Sequence, residues 1–421
     1  MKILIRGAGF QNKGAEAMLR VTQQELSTIL PKVSFYAAVN PLEAEYAYRS
    51  GLIPLYYLPS FRMQMLSIFP YAPKVPQALI SKKNPDFAKA IKTHTKAAYE
   101  INAVGDVDAV VDVSGFAYSD TWGTGGFEYA WPWLEYCQSK QKPYVFLPQA
   151  WGPFEKEDVA NWAKKICKAS TLLFSRDDES SNYLAKLQGI SAAEVRQAPD
   201  TAFCFRGANK TAGEHVLKSL GIIKDRPLIG IVPNIRVYER TVGEGAANEY
   251  VKLLVALANH CIETLNADVL ISPNEIKVPG NSSSDDRFLC SIVSSHIQKA
   301  EHCFNLCEYY PSEIIKSVLG HLDFLIASRF HSLVFALSQG VPVIALGWSH
   351  KYHELLRSFE LENYVVDYKR LNTAEVISLV DKGWQQRYST KEKINNTVPQ
   401  IQKKIKNIFD EIASLISEAK H

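Results

Sequence analysis

The stretch Leu322-Asp323-Phe324-Leu325-Ile326-Ala327-Ser328-Arg329-Phe330-His331-Ser332-Leu333 decides how the chain is read. Its first half is a short apolar run of the kind that forms a strand buried on both faces of a parallel sheet. From about His331 the pattern turns helical, and the continuation VFALSQGVPVIALGWSHKYHE brings a second apolar run at Val341–Leu346. Strand, helix and strand in so short a space make a βαβ unit, the building block of open parallel sheets. The turn from strand to helix falls on Ser328, Arg329 and His331, at the carboxyl edge where such sheets bind ligands. Free N–H groups at the helix start favour an anion there. Arg329 adds a fork of donors, and His331 adds a group whose unperturbed pKa is about 6.5. A lone histidine is more often a satisfied structural residue, but this one stands where an acid or base is needed. Lys351, expected to open the helix after the next strand, supplies a second positive charge.

Outward from this unit the pattern repeats. Leu228–Pro233 and Val269–Ser272 are further strands, with helices between, so residues 211–421 read as one doubly wound domain. The amino-terminal part has a strand at Lys2–Arg6, a glycine loop, and a helix from about Gly14 to Leu30 stopped by Pro31. Strands follow at Val33–Val39, Asp108–Val113, Tyr144–Pro148 and Thr171–Ser175, so residues 1–210 make a second domain of the same α/β, Rossmann-like class. At 421 residues the chain exceeds the roughly 250–300 at which single cores stop growing. The cleft faced by the carboxyl edges of both sheets is the expected ligand site.

Two segments break the regular scheme. An insertion at about 52–85 is rich in aromatic and aliphatic residues, yet Pro54, Pro59, Pro70, Pro73 and Pro76 interrupt any spanning helix. It reads as packed on the first domain or as a surface peripheral to a membrane, near a lipid-linked substrate. A last helix at about 401–419 puts Ile401, Ile405, Ile408, Ile412 and Leu415 on one stripe with lysines opposite, for packing back on a domain.

Composition narrows the partners. With 47 basic and 44 acidic residues the formal charge is +3, which gives no nucleic-acid surface. The start MKILIRGAGF enters a strand at once and lacks the apolar core of a secretory signal. Seven cysteines, an odd number without CxxC spacing, fit reduced thiols in a cytoplasmic protein and no metal site. His350 and His353, three apart on a helix, have no third ligand to complete a metal set.

The other strand-end loops supply further candidates. In Gly7-Ala8-Gly9-Phe10-Gln11-Asn12-Lys13-Gly14 the dinucleotide fingerprint would need glycine where Asn12 stands, so a nicotinamide cofactor is not expected. Either the turn is structural, or Asn12, Lys13, Gly14 and Glu16 contact a polar ligand. Gln149, in Pro148-Gln149-Ala150-Trp151-Gly152-Pro153, and Arg176, in Ser175-Arg176-Asp177, follow strands of the first domain. Arg176 can fork onto a carboxylate or phosphate, or pair with Asp177 or Asp200. Arg236, in Pro233-Asn234-Ile235-Arg236, is an added anion contact in the second domain.

Taken in order, GAGFQNKGAEAM, LPQAWGPF, SRDDESS, Pro199-Asp200-Thr201-Ala202-Phe203, Arg329–Ser332 and GVPVIALGWSHK resemble the motifs of the polysaccharide pyruvyl transferase family over nearly the full chain. The resemblance implies a fold similar to GT-B glycosyltransferases and transfer of a pyruvyl group from phosphoenolpyruvate onto two hydroxyls of one sugar, as a cyclic ketal. It implies catalytic roles for His331, Arg176 and Lys351, and donor contacts from Arg329, Arg236 and Ser328 in the second domain. Acceptor contacts fall to Asn12, Gly14, Glu16 and Gln149 on the side of the first domain. No cofactor or metal enters beyond phosphoenolpyruvate as co-substrate. The acceptor is a sugar or lipid-linked oligosaccharide of an exopolysaccharide, which puts the enzyme in the cytoplasm or at the inner face of the membrane. Ser114-Gly115-Phe116 has fewer glycines than the family's motif, and Trp348 stands where the family often has tyrosine. A GT-B glycosyltransferase using a nucleotide sugar is the competing reading, since fold alone does not settle chemistry.

Overall fold

The computed structural model describes residues 1–7, 9–56, 96, 99–187, 189–190, 195–223, 225–277, 285–370 and 372–419. The chain forms two compact units, one of Met1–Phe10, Thr22–Asp200 and Ile405–His421, the other of Gln11–Val21 and Thr201–Lys404.

In the first unit a seven-stranded parallel sheet has the order β3-β2-β1-β4-β5-β6-β7. The strands are β1 (Lys2–Arg6), β2 (Ser34–Ala38), β3 (Ile53–Leu55), β4 (Ala109–Asp112), β5 (Tyr144–Gln149), β6 (Leu172–Ser175) and β7 (Val195–Gln197). The second unit has the order β10-β9-β8-β11-β12-β13, built from β8 (Leu228–Val232), β9 (Asp268–Ile271), β10 (Cys303–Asn305), β11 (Phe324–Ala327), β12 (Val343–Gly347) and β13 (Val365–Asp367). Each sheet is doubly wound, as the apolar runs imply: Val110, Val111, Leu325 and Ile326 are fully buried, as strands covered on both faces must be. The strand order reverses between β1 and β4 and again between β8 and β11. Register there sets Arg6 beside Asp112 and Val232 beside Ala327, so the residues that follow these strands meet at the switch points.

The helices that bear on the site are α1 (Lys13–Ile29), α2 (Ser312–Leu319), α3 (Phe330–Leu337), α4 (Lys351–Arg357) and α5 (Arg387–Glu418). Strands β3, β7, β10 and β13 are three-residue strands at the edges of their sheets, too short to give a strand pattern of their own in the sequence. The expected change of domain at residue 210 lies earlier in the contacts, at Asp200/Thr201. The Phe203 ring packs tilted against Phe359 at 5.8 Å and that of Phe205 against Phe335 at 5.7 Å, which ties these rings to the second unit. Helix α5 begins fourteen residues before the expected start and runs through Pro399. Burial of Ile394, Val398, Ile401, Ile405, Ile408 and Ile412 along one stripe offsets the hydrogen bond that Pro399 removes, and Ile416, not Leu415, continues the stripe. Of the expected insertion, 57–85 lies outside the described residues. Among the described residues no helix is long and apolar enough to cross a membrane, and all seven cysteines are free thiols.

Candidate active site

At the switch point of the second unit, Ser328 is fully buried and held from three sides. Its carbonyl accepts from Asn234 Nδ2 at 2.7 Å and from the Tyr352 hydroxyl at 2.7 Å, and its Oγ pairs with the Tyr250 hydroxyl at 2.6 Å. This fixes where the chain leaves β11. The next residue, Arg329, forks its terminal nitrogens onto Glu275 Oε2 at 2.8 Å and Asp286 Oδ1 at 2.5 Å, with 7% of its surface exposed. Burial disfavours the guanidinium charge, but Asp286 and Glu275 hold its pKa above the ordinary value. Burial also pushes the Glu275 carboxyl up, yet Arg329 and Lys277 outweigh it and leave the group below the usual range. At Asp286 burial wins over Arg329 and the carboxyl is raised. Asp286 further accepts the backbone N–H groups of Asn274, Glu275 and Ile235. Arg329 and Ser328 therefore build the edge itself.

Helix α3 starts at Phe330 without a side-chain cap, so its first N–H groups carry the partial positive charge of a helix terminus. His331 lies in its first turn. Its imidazole rests on the backbone of Gly14: a methyl group at Gly14 would stand 1.9 Å from His331 Nδ1. Only glycine admits the ring so close. The segment around Gly14 is pinned by Lys13 N–H to Asn274 O at 3.0 Å, Ile276 N–H to Gln11 O at 2.9 Å, and Ser312 Oγ to Lys13 O at 2.9 Å. Asn274 Oδ1 also accepts from Ser332 Oγ in α3, at 3.0 Å. Asn12 caps α1, its Oδ1 accepting the N–H groups of Gly14 and Ala15. Glu16 pairs with the buried Lys13 ammonium at 3.1 Å, which also sits 3.8 Å from the Tyr309 ring centre. Burial raises the Glu16 carboxyl pKa although Lys13 opposes it. Of Asn12, Gly14 and Glu16, expected as acceptor contacts, Gly14 lies against the His331 ring, Asn12 caps α1 and Glu16 pairs with Lys13.

Lys351 opens α4, as the sequence implies. Its Nζ lies 4.9 Å from the Trp348 ring centre and 5.5 Å from that of Phe330, and the Phe330 ring is 5.3 Å from the His331 ring. The Arg240 guanidinium also lies 4.9 Å from the Trp348 ring centre. Arg240 donates to the carbonyl of Arg236 at 2.6 Å, while the Arg236 guanidinium pairs with Glu239 at 2.9 Å. A short chain of aromatic rings therefore links an imidazole to two cations at one sheet edge.

In the first unit the β1–β4 switch point holds Arg6, fully buried and paired with Asp112. The Tyr144 hydroxyl accepts from Arg6 at 2.7 Å, and the Tyr118 and Tyr144 hydroxyls donate to Asp112 at 2.8 and 2.9 Å. Burial opposes the Arg6 charge, and Tyr144 and Asp112 hold its pKa above the ordinary value. Gly7, with φ +87° and Ser114 against it, makes the turn that follows β1. Arg176 pairs with Asp200 at 2.6 Å, joining the SRDDESS and PDTAF segments, and Asp177 caps the helix that follows by accepting from Ser180 N–H at 2.7 Å. Gln149, at the end of β5, is fully buried, and neither atom of its amide has a hydrogen-bond partner among the described residues. Such a group calls for a ligand or water.

Arg6, Asp286, Tyr250, Tyr352 and Arg240 are absent from the sequence-based set. A signal for part of it exists: Pro233-Asn234 and Pro273-Asn274 both follow strands of one sheet, and the two asparagines hold Ser328 and Ser332.

The sequence model of the family described as polysaccharide pyruvyl transferase matches residues 12–350. The chain is 23% identical over 278 residues to the amylovoran biosynthesis protein AmsJ of Erwinia amylovora, a match that spans 65% of this chain and 65% of that relative. Among solved structures it is similar to UDP-GlcNAc 2-epimerase from Neisseria meningitidis bound to UDP-GlcNAc, with TM-score 0.59 and 12% identity over 99% of this chain and 100% of that one. A glycosyltransferase from Rickettsia africae gives TM-score 0.58 at 11% identity, over 99% and 98% of the two chains. At these identities the likeness is one of fold: two parallel α/β domains of the GT-B kind.

Proposed function

The chain belongs to the polysaccharide pyruvyl transferase family, and from that premise we propose that it moves a pyruvyl group from phosphoenolpyruvate onto two hydroxyls of one sugar in a cell-surface polysaccharide precursor. The observation that carries this reading is the seat of His331: an imidazole pressed on Gly14 in the first turn of an uncapped helix, with Lys351 beyond the Phe330 ring. Phosphoenolpyruvate carries a carboxylate and a phosphate, so its binding depends on charge-assisted bonds and helix-start N–H groups.

In the proposed sequence His331 delivers a proton to the methylene carbon, leaving an oxocarbenium-like centre. The first sugar hydroxyl adds there, and its proton passes to His331. The carbon–oxygen bond to phosphate then breaks, and the second hydroxyl closes the ring. Of the two hydroxyl protons one ends on the new methyl group and the other on phosphate, so the balance closes without a redox step. Lys351, with Arg236 and Arg240 on the same edge, stabilises the phosphate as it gains charge. Arg329 and Ser328 serve the donor by fixing the strand-to-helix turn from which His331 projects. Arg176 keeps the catalytic role that the family motif implies, and the buried Gln149 amide has hydrogen-bonding capacity left for a ligand or water within its own unit. The scheme calls on no cofactor or metal, and it places the enzyme in the cytoplasm, at the membrane's inner face where the acceptor is lipid-linked.

The test is incubation with phosphoenolpyruvate and candidate glycans, reading phosphate release and the ketal's added mass. Release that needs both substrates supports the proposal. Thermal stabilisation by uridine diphosphate and none by phosphoenolpyruvate would replace it with a nucleotide-sugar glycosyltransferase.

A further inference from the structure

With Gly14 against the imidazole, Asn12 capping α1 and Glu16 paired with Lys13, the acceptor needs other walls, and the second unit has a place for it. A cavity of about 290 Å³ opens at the carboxyl ends of β12 and β13, lined by Trp348, Ser349, His350, His353, Asp367 and Lys369 among others. A second cavity, of about 520 Å³, shares His353 and Asp367 with the first and continues past Arg370 and Glu375. Together they form a groove whose near end is the indole of Trp348, 4.9 Å from the Lys351 ammonium.

The lining selects the chemistry. Asp367 accepts the Lys369 N–H through Oδ1 at 2.9 Å, and a phosphate lodged here would face its carboxylate. Ser349 has a buried Oγ with no hydrogen-bond partner among the described residues, and an apolar guest would leave it so. Imidazole, hydroxyl and ammonium donors opposite one carboxylate acceptor, beside an indole, suit a ring covered in hydroxyl groups. The nearer cavity lies at the small end of the roughly 300–1,000 Å³ usual for ligand sites, which fits one ring and not a sugar nucleotide.

We propose that this groove is the acceptor site: the ring to be ketalised occupies the cavity beside Trp348, held by Asp367 and His353, and the next residue of the glycan follows into the larger cavity. The proposal rests on the pyruvyl-transfer reading given above. The experiment follows histidine ring signals by NMR, with His353 assigned from His353→Ala and His331 from His331→Ala. Methyl glycosides of glucose, galactose, mannose and glucuronic acid are the probes, titrated in turn into the wild-type chain and into Asp367→Asn. At least one is expected to shift the His353 signals, with an apparent Kd about tenfold weaker in Asp367→Asn. No shift at His353 with any probe, or equal affinity in Asp367→Asn, overturns the acceptor groove. Phosphoenolpyruvate is titrated separately and should shift His331. Its failure to do so counts against the donor reading and leaves the glycoside result to be judged by itself.

Discussion

Both sheets place a buried arginine at the carboxyl side of their switch point, and the two arginines have different consequences. Arg6 is closed in by the buried Asp112, Tyr118 and Tyr144, with the partly buried Tyr129 ring 4.7 Å from its guanidinium. Arg329 is equally well paired, by Glu275 and Asp286, but the residue after Phe330 is His331, in a helix start that has no side-chain cap from Arg329. At the same kind of sheet edge, an arginine that ends the strand before the crossover is a rivet in one unit, and an arginine that follows the strand after it is, under the proposed reading, the footing of a proton-transfer group in the other. Burial and ion pairing do not separate them; what stands one helical turn away does.

The largest effect expected from this contrast belongs to His331. His331→Ala should lower turnover by about 10²–10⁴-fold while the chain keeps its melting temperature, because the ring is only partly buried. Steady-state phosphate release and thermal unfolding measured together check it, and near-normal turnover would leave the second edge as inert as the first.

Next come the arginines themselves. Arg6→Met and Arg329→Met each strand buried carboxylates, and each should cost about 3–5 kcal/mol of stability in urea unfolding. Their activities should part company. At a temperature where both variants are folded, Arg6→Met should turn over like the parent. Arg329→Met should be slower by about tenfold or more, since Glu275 bridges to Asn12 and so to the seat of His331. Equal turnover in the two variants would mean that Arg329 is only a second rivet.

A glycine in each unit gives a smaller version of the same contrast. Gly14→Ala drives a methyl group into the His331 ring, so the imidazole must move by more than an ångström, for which a loss of about 10²-fold in kcat is expected. Gly7→Ala meets Ser114 and a positive φ, and should lower the melting temperature with kcat unchanged in the folded fraction.

These contrasts also mark what the sequence could convey. Apolar runs revealed the central strands because residues such as Val111 and Ile326 are buried on both faces, and the strand-to-helix turn at Arg329 placed His331 and Lys351 at one edge. Three-residue edge strands such as Val195-Arg196-Gln197 left no such trace. Pairing was the harder matter. Asp286 and Glu275 reach Arg329 from a loop 43 and 54 residues away, and no local pattern encodes that meeting. Gly14 looked like part of a ligand loop, since nothing in the sequence tells that an imidazole more than three hundred residues later packs against it.

The smallest expected effect concerns Lys316 on α2, the helix whose Ser312 anchors Lys13. Its ammonium is buried, donates to the Phe205 carbonyl at 2.6 Å, and has its pKa pushed down by burial from 10.5 to about 8. A depressed folded-state pKa means that the unfolded chain binds the extra proton more readily, so the stability contributed by this group is present above pH 10.5 and is lost as pH falls through about 8. Lys316→Met removes the titration. The stability of the variant relative to the parent should therefore be highest near pH 7 and decline by about 1–3 kcal/mol towards pH 10. The Arg6 edge offers the control, because Arg6 keeps its charge across this range and is paired with Asp112: Arg6→Met relative to the parent should show no such decline over the same range. Urea unfolding of parent and both variants at several pH values decides it. A difference for Lys316→Met that stays level with pH would show that the lysine carries its proton as easily folded as unfolded.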